Sequence, residues 1–483
     1  MLRIFVFLAA FVMTGFWCTN KMNSKAGSVP ITSLSDTSFS RAIKNYTGYC
    51  GGCHGEKMDA FVDRNWKHGS TRQDLFKAIK KGYADEGMPG FEPTFTDEET
   101  YELADYILTG IENRKRYDFK KDSVKENFFP SKDIDIRLDT IVKISSVGWG
   151  MKFLPNGDML YTEKSGKLFR VSRDKIKQEI TGVPEVQFAQ QGGLLDIELH
   201  PQFSKNNIIY ISYSAIKKVK EKTLSTTAIM RAVLRDNVLT EQQIIFEALP
   251  YLSATIHYGC RLKFDRDGFL YFTVGDRSNY KEHPQSLSNP FGKVHRINDD
   301  GSIPADNPFV NTPGAITSIY TYGNRNPQGL DMQPQTGIMW QDEHGPRGGD
   351  EVNIIKKGKN YGWPLISYGI NYNNKIITNK TKMDGMEQPE LYWIPSIGPG
   401  GMCFVKGDIY PAWKGDLMAS SMRFGYINRC IIKGTKIIDQ EMLIKNMGRI
   451  RDIQQSPDGY LYISVEKEYI FRLVPVKKTV FQN

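Results

Sequence analysis

The sequence predicts an all-β propeller preceded by a small all-α domain. The repeat spacing fits six blades best, with seven as the alternative count. Three observations carry this. At 483 residues the chain exceeds what one hydrophobic core organises, so two or more domains are expected. Hydrophobic residues at 40%, charged residues at 24%, 43 Gly and 24 Tyr describe a folded, turn-rich and strand-rich body with helix in the minority. Finally, one hairpin grammar recurs from residue 150 to residue 462: a short strand, a Pro/Asp-Gly turn, then an aromatic strand.

In chain order, residues 1–18 place Arg3 ahead of an apolar run of signal-peptide length, too short for a comfortable membrane span, so export is expected. Cys18 follows that run and precedes a polar stretch, as in bacterial lipoproteins that are lipidated on such a cysteine. Gly15-Phe16-Trp17 departs from the small residue normal before the cysteine, so a lipid anchor on Cys18 and a plain cleaved signal both stay open. Residues 19–35 read as a linker.

The segment 36–115 is the all-α domain. A helix beginning near Ser38 leads into Cys50-Gly51-Gly52-Cys53-His54. In C-x-x-C-H the two cysteines suit thioether bonds to haem vinyl groups, and the adjacent His54 suits the iron. A redox dithiol is the competing reading, but it belongs after a strand rather than a helix. Met88, in the loop Gly87-Met88-Pro89-Gly90, is the candidate sixth ligand. Asp97-Glu98-Glu99 opens a helix whose Leu103, Ala104, Tyr106, Ile107 and Leu108 would cover a macrocycle. The segment resembles a small class I cytochrome c. His54/Met88 ligation would keep the iron six-coordinate, which suits electron transfer rather than oxygen chemistry.

Residues 116–135 form a second, charged linker. The net charge of +9 is spread over the chain, partly around Arg114–Lys125, and no nucleic-acid-binding signature accompanies it. The propeller is assigned to 136–475. Its hairpins are Gly150–Tyr161, Leu262–Tyr271 and Ile453–Tyr462, with Leu330–Trp340 as a looser copy. Asp265-Arg266-Asp267-Gly268 reads as one of these turns, because its Gly comes too early for an EF-hand.

Propellers bind ligands where loops from different blades converge. Six stretches break the strand grammar: Gln190–Leu195, His257–Arg261, Tyr322–Gly329, Glu343–Pro346, Ser421–Arg423 and Gly448–Asp452. Together with His200-Pro201, Val274-Gly275-Asp276-Arg277 and Asn360-Tyr361-Gly362-Trp363-Pro364, they make 136–475 similar to the soluble PQQ-dependent aldose (glucose/sorbosone) dehydrogenases. The resemblance implies PQQ and Ca²⁺ as cofactors, joined by the covalent haem c of the first domain. It implies His257 as general base, Gln191 orienting substrate or His257, and Arg325 and Asn326 beside the reactive quinone carbonyl. Arg423, Arg449 and Arg451 would hold the acidic rim of PQQ, with Ser396 also in its pocket. Arg forks meet carboxylates bidentately, which suits a tricarboxylate. Gly345 and Pro346 would offer carbonyls to Ca²⁺, and Glu351 and Tyr361 would carry a second, structural calcium.

Departures accompany the resemblance. Ile256 stands where some sugar-oxidising relatives have an acid, so orientation of the His257 imidazole must come from elsewhere. Cys260 replaces a small residue, and Tyr392-Trp393-Ile394-Pro395-Ser396 brings Trp one position early. Cys403 and Cys430 are left either to pair or to stay buried thiols.

The expected function is an exported quinohaemoprotein that oxidises an aldose or related alcohol and passes electrons one at a time to its haem. A respiratory cytochrome or oxidase would be the partner. Two alternatives stand beside it: an electron carrier with a non-catalytic propeller docking module, and a lactonase-type calcium propeller hydrolase. The hydrolase would need a ring of acids at the mouth, whereas these loops offer mainly arginines.

Overall fold

Short apolar strands separated by Gly-containing turns build six antiparallel sheets, and a helical unit precedes them. The computed structural model describes residues 40–46, 50, 68–83, 88–117, 127–278, 280–372 and 377–476. The signal region, Cys18, Cys53 and His54 lie outside the described residues.

In the helical unit, α1 is Ser40–Asn45, α2 Arg72–Lys81 and α3 Asp97–Tyr117. Thr71 caps α2: its hydroxyl accepts from Asp74 N while the Asp74 carboxylate accepts from Thr71 N, which satisfies two otherwise orphaned donors. The apolar stripe expected on α3 is buried: Leu103, Ala104, Tyr106 and Ile107 pack with Tyr46, Leu75, Ile79 and Cys50, and Leu108 lies against them. Met88 is half-buried, and its backbone is bridged to Tyr83 by a reciprocal pair of hydrogen bonds of 2.8 and 3.1 Å.

The strands begin with β1 (Phe128–Phe129) and β2 (Asp135–Lys143). The first blade is β3 (Gly148–Phe153), β4 (Met159–Glu163), β5 (Lys167–Val171) and β6 (Lys177–Ile180). The second is β7 (Leu194–Leu199), β8 (Ile208–Val219), β9 (Lys222–Arg235) and β10 (Val238–Glu247). The third is β11 (Leu262–Phe264), β12 (Leu270–Val274), β13 (Lys293–Ile297) and β14 (Ile319–Tyr322). The fourth is β15 (Pro327–Met332), β16 (Met339–Glu343), β17 (Asp350–Ile354) and β18 (Leu391–Trp393). The fifth is β19 (Pro399–Phe404), β20 (Leu417–Ser421), β21 (Ile427–Lys433) and β22 (Lys436–Leu443). The sixth combines β23 (Ile450–Gln455), β24 (Leu461–Val465) and β25 (Tyr469–Val476) with β2 and β1 on its outer edge.

The molecule is therefore a six-bladed propeller, as the repeat spacing predicts. All four quoted repeats are the first hairpin of a blade: β3–β4, β11–β12, β15–β16 and β23–β24. The innermost strands touch in a closed ring, with β23 against β3. Apolar clusters fill the space between neighbouring blades, so each sheet is buried on both faces. Cys403 and Cys430 sit in different clusters as free buried thiols, so that pairing is not made.

Tyr410, fully buried in the turn between β19 and β20, clamps the fifth blade to the sixth. Its hydroxyl donates to Leu473 O (2.5 Å) and accepts from Leu461 N (3.0 Å). Tyr410→Phe leaves a buried carbonyl and a buried N–H without that partner. A loss of about 1–3 kcal/mol is expected in urea unfolding of the purified protein.

Candidate functional site

The candidate site lies at one end of the propeller, where the turns between second and third strands meet the connections between blades. Two cavities meet there, sharing His344, Met422 and Arg449. The larger, 470 Å³, is lined by Gly345, Pro346, Asp350, Ser396 and Arg423. The smaller, 180 Å³, is lined by Trp149, Lys164, Gln191, Tyr258, Arg451 and Glu466.

His257 enters from the β10–β11 connection and is 6% exposed. Its Nδ1 is 2.7 Å from Asp276 Oδ1, and Asp276 is itself fully buried. Asp276 follows β12 and is the orienting group that Ile256 does not provide. It stands within the Val274-Gly275-Asp276-Arg277 motif, although nothing in the sequence assigned it that role. Gln191 Oε1 accepts from His257 N at 2.8 Å, so Gln191 holds the His257 backbone. Gly275 is required beside them: a Cβ there would lie 2.2 Å from His257 O and 2.7 Å from Asn326 Oδ1. His257, Cys260, Arg277 and Ser278 all take positive φ, a concentration of strained backbone around this one pair.

Burial first, then the Arg325 charge, pushes the His257 imidazole below its ordinary value, and the opposing pull of Asp276 does not reverse this. Burial works against ionisation of Asp276, yet its pairing with His257 and the nearby Arg325 hold its carboxyl below the ordinary value. The pair is therefore a neutral imidazole against a carboxylate. With Nδ1 engaged by Asp276, Nε2 is the ring nitrogen left to accept a proton.

Arg325 and Asn326 precede β15. Arg325 Nη1 donates to His344 O (3.0 Å) and Gly345 O (2.7 Å), and its N–H donates to the buried Glu343 carboxylate (2.6 Å). The Arg325 Nε is buried without a hydrogen-bond partner. Pro346 O accepts from Ser396 Oγ at 3.2 Å. Both carbonyls singled out as cation ligands thus already carry donors. Asp350 ties the same loops together, accepting from Gly345 N (2.8 Å) and Gly398 N (2.7 Å), and burial pushes its carboxyl up to about 6.

Arg423 is exposed and donates to Ser396 O at 3.1 Å. Arg449 and Arg451 both bind Glu466, at 2.7 and 2.5 Å, so one carboxylate at the β24–β25 turn aligns two guanidinium groups. Glu466 carries no sequence signal; it is an ordinary acid in an ordinary turn. Lys164 adds a further cation at the mouth, its ammonium held below the ordinary value by burial and by Arg451. Trp393 is buried, donates from Nε1 to Gln440 at 3.0 Å and lines neither cavity.

Glu351 lies on β17 and accepts from Asn353 Nδ2 at 3.2 Å, while buried Tyr361 donates its hydroxyl to Ile354 O. Among the described residues, no group of three or more His, Cys, Asp or Glu is arranged to hold a metal. His295, in contrast to His257, is a satisfied structural side chain bonded to Ser318 Oγ and Pro290 O.

Residues 145–470 match the family model described as glucose/sorbosone dehydrogenase, and residues 39–107 match the one described as cytochrome c oxidase, cbb3-type, subunit III. The chain is similar to aldose sugar dehydrogenase YliI of Escherichia coli K12, 39% identical over 326 residues that cover 66% of this chain and 87% of that protein. It is also similar to quinoprotein glucose dehydrogenase B of Acinetobacter calcoaceticus, 28% identical over 70% of this chain and 85% of that one. A solved structure of the soluble aldose sugar dehydrogenase of Escherichia coli in the apo-form superposes with a TM-score of 0.67 at 36% identity, covering 71% of this chain and 100% of that one.

Proposed function

The chain belongs to the glucose/sorbosone dehydrogenase family and carries a cytochrome c domain ahead of the propeller, and from that premise we propose that it oxidises an aldose or related alcohol with PQQ and Ca²⁺ and delivers the electrons to its own haem. The observation that carries this reading is the His257–Asp276 pair, which adjoins Gln191, Tyr258 and Gly259 in the wall of the 180 Å³ cavity; that cavity shares Arg449 with the 470 Å³ one.

The residues present fit the cofactors. Arg423, Arg449 and Arg451 converge from two blades on one mouth and suit a tricarboxylate, and Arg325 keeps an unpartnered Nε. The name of the Acinetobacter relative, a quinoprotein, supports the same assignment. Bound there, PQQ would supply a two-electron acceptor, Ca²⁺ on the Gly345 and Pro346 carbonyls a Lewis acid, and haem on Cys50 and Cys53 with His54 and Met88 as ligands a one-electron outlet. A cation on Gly345 O would compete with the Arg325 Nη1 donor, freeing that guanidinium toward the mouth. Glu351 and Tyr361 stay the proposed holders of a second calcium.

His257 Nε2 takes the proton of the substrate hydroxyl as hydride leaves the same carbon. Asp276 holds the imidazole in the accepting tautomer, Gln191 fixes its backbone, and Asn326 backs the same loop by accepting from Gly259 N. Residues 1–18 support export, with lipidation on Cys18 as one route to a membrane; among the described residues no helix is long and apolar enough to cross one. A tethered cytochrome raises the effective concentration of the first acceptor, and a respiratory cytochrome or oxidase is the proposed next one.

The test is haem absorbance after adding PQQ, Ca²⁺ and then a panel of aldoses. Haem reduction that requires all three supports the reading; failure of PQQ to bind overturns it in favour of a docking module. Because His257 sits below its ordinary value, turnover is expected to be flat near pH 7 and to fall as pH drops through that depressed value. A pH–kcat profile that instead rises toward acid would show that neutral His257 is not the base.

A further inference from the structure

We propose that Trp363 is a positioning residue for the His257–Asp276 pair, its indole N–H fixing the Asp276 carboxylate so that His257 presents Nε2 to the mouth. The proposal deepens the dehydrogenase reading, since it matters to catalysis only if His257 is the base.

Both oxygens of Asp276 are engaged. Oδ1 lies 2.7 Å from His257 Nδ1 and accepts from Ser278 N at 2.7 Å, while Oδ2 accepts from Trp363 Nε1 at 2.8 Å. Held on one oxygen alone, a carboxylate can turn about its Cβ–Cγ bond; a donor on the second oxygen sets its plane. Trp363 comes from the long β17–β18 loop of the fourth blade and is itself fixed, its backbone N–H donating to Gly323 O (2.8 Å) and its carbonyl accepting from Gln285 Nε2 (2.8 Å). It is 7% exposed, and the Arg325 guanidinium stands 5.2 Å from its ring centroid. One side chain therefore touches both the acid behind the base and the cation across from it. Indole suits the task because it only donates and does not titrate, so it cannot compete with His257 for the proton.

His257 is faced by Asp276, Arg325, Arg277 and His344, and Asp276 in addition by Lys293 and His283. Removing the indole N–H leaves more of the Asp276 charge directed at His257. The imidazole should then bind its proton more tightly, against the effects of burial and Arg325.

The experiment compares wild-type protein with Trp363→Phe, which keeps a ring under Arg325, and with benzothienylalanine at the same position, which keeps the bicyclic shape but lacks the N–H. His257 is titrated by NMR in cofactor-free protein carrying ¹³C-labelled histidine, its signal assigned by its loss in His257→Asn. The expected result is a midpoint higher by about half a unit or more, with kcat down about tenfold and KM within about twofold in the loaded enzyme. An unmoved midpoint in the isosteric analogue overturns the proposal. The titration needs neither sugar nor cofactor, so a moved midpoint in a protein that oxidises no aldose would sink the dehydrogenase reading alone. Normal turnover with an unmoved midpoint would sink the positioning role alone.

Discussion

His257→Ala is expected to lower kcat for aldose oxidation by about a thousandfold while leaving cofactor uptake intact, the loss typical of removing a general base. The separation of effects follows from the geometry. The imidazole is buried against Asp276, whereas the arginines proposed to hold the cofactor stand on other loops, with Arg449 and Arg451 aligned by Glu466. Steady-state turnover with a dye acceptor, read beside a PQQ-binding titration, checks both halves. Asp276→Asn should follow the same direction, because an amide no longer guarantees the tautomer with Nε2 free. If His257→Ala turned over within a few-fold of wild type, the base would have to be found elsewhere. The candidate would then be the other histidine of the mouth, His344, whose ring burial pushes down to about 3 and whose Nε2 is tied to Pro399 O at 2.7 Å.

The largest stability effect is expected at Arg261, which is buried on the propeller axis with Nη1 3.1 Å from both Asp196 Oδ1 and Asp452 Oδ1. The two carboxylates also accept from Leu262 N on β11 and Met151 N on β3, and Arg261 Nε donates to Gln328 O on β15, so this one guanidinium ties the third blade to the second, fourth and sixth. Arg261→Met keeps volume but leaves two buried carboxylates without their cation, a loss of about 3–5 kcal/mol. The sign with pH follows from the acids. Burial raises Asp196 above its ordinary value and pushes Asp452 up to about 6 even with Arg261 present. An acid whose folded value is raised stabilises the fold below that value and loses the contribution as pH rises through it. Removing the cation raises both acids further, so the variant should lose more at pH 8 than at pH 5. Urea unfolding at the two pH values measures this; equal losses would show that the acids are not the unpaired charges.

The parts that were legible in the sequence were those written in local chemistry. Asp-Gly and Asn-Gly turns exposed three of the six first hairpins, and Thr336-Gly337 in a looser copy exposed a fourth. The other two use different devices: β7 and β8 are joined through the short helix α4 (Phe203–Asn206) and a left-handed Asn207, and β19 and β20 through a longer turn around Tyr410 and Trp413. Neither leaves a two-residue turn signal. The C-x-x-C-H motif and the His257 loop were legible because the haem attachment and base catalysis proposed for them require fixed residue types at fixed spacings. Asp276 and Trp363 both stand in quoted motifs, but their meeting joins residues 87 positions apart and could not be read from either stretch. Glu466 was invisible for a simpler reason, since an acid in a β-turn is the commonest kind of surface residue and only the two arginines beside it give it a function.

The outer strands of the sixth blade carry a consequence for how the polypeptide reaches its shape. Strand β2 pairs with β25 from Asp135↔Val476 to Lys143↔Tyr469, so the ladder that shuts the ring joins segments separated by more than 300 positions. During synthesis that ladder has no partner until nearly all the intervening blades have been made, and contacts so distant in sequence form slowly. The polypeptide thus stays open and unlatched for most of its time on the ribosome. Closing the ring is therefore the last long-range step in reaching the folded propeller, whatever order the single blades form in.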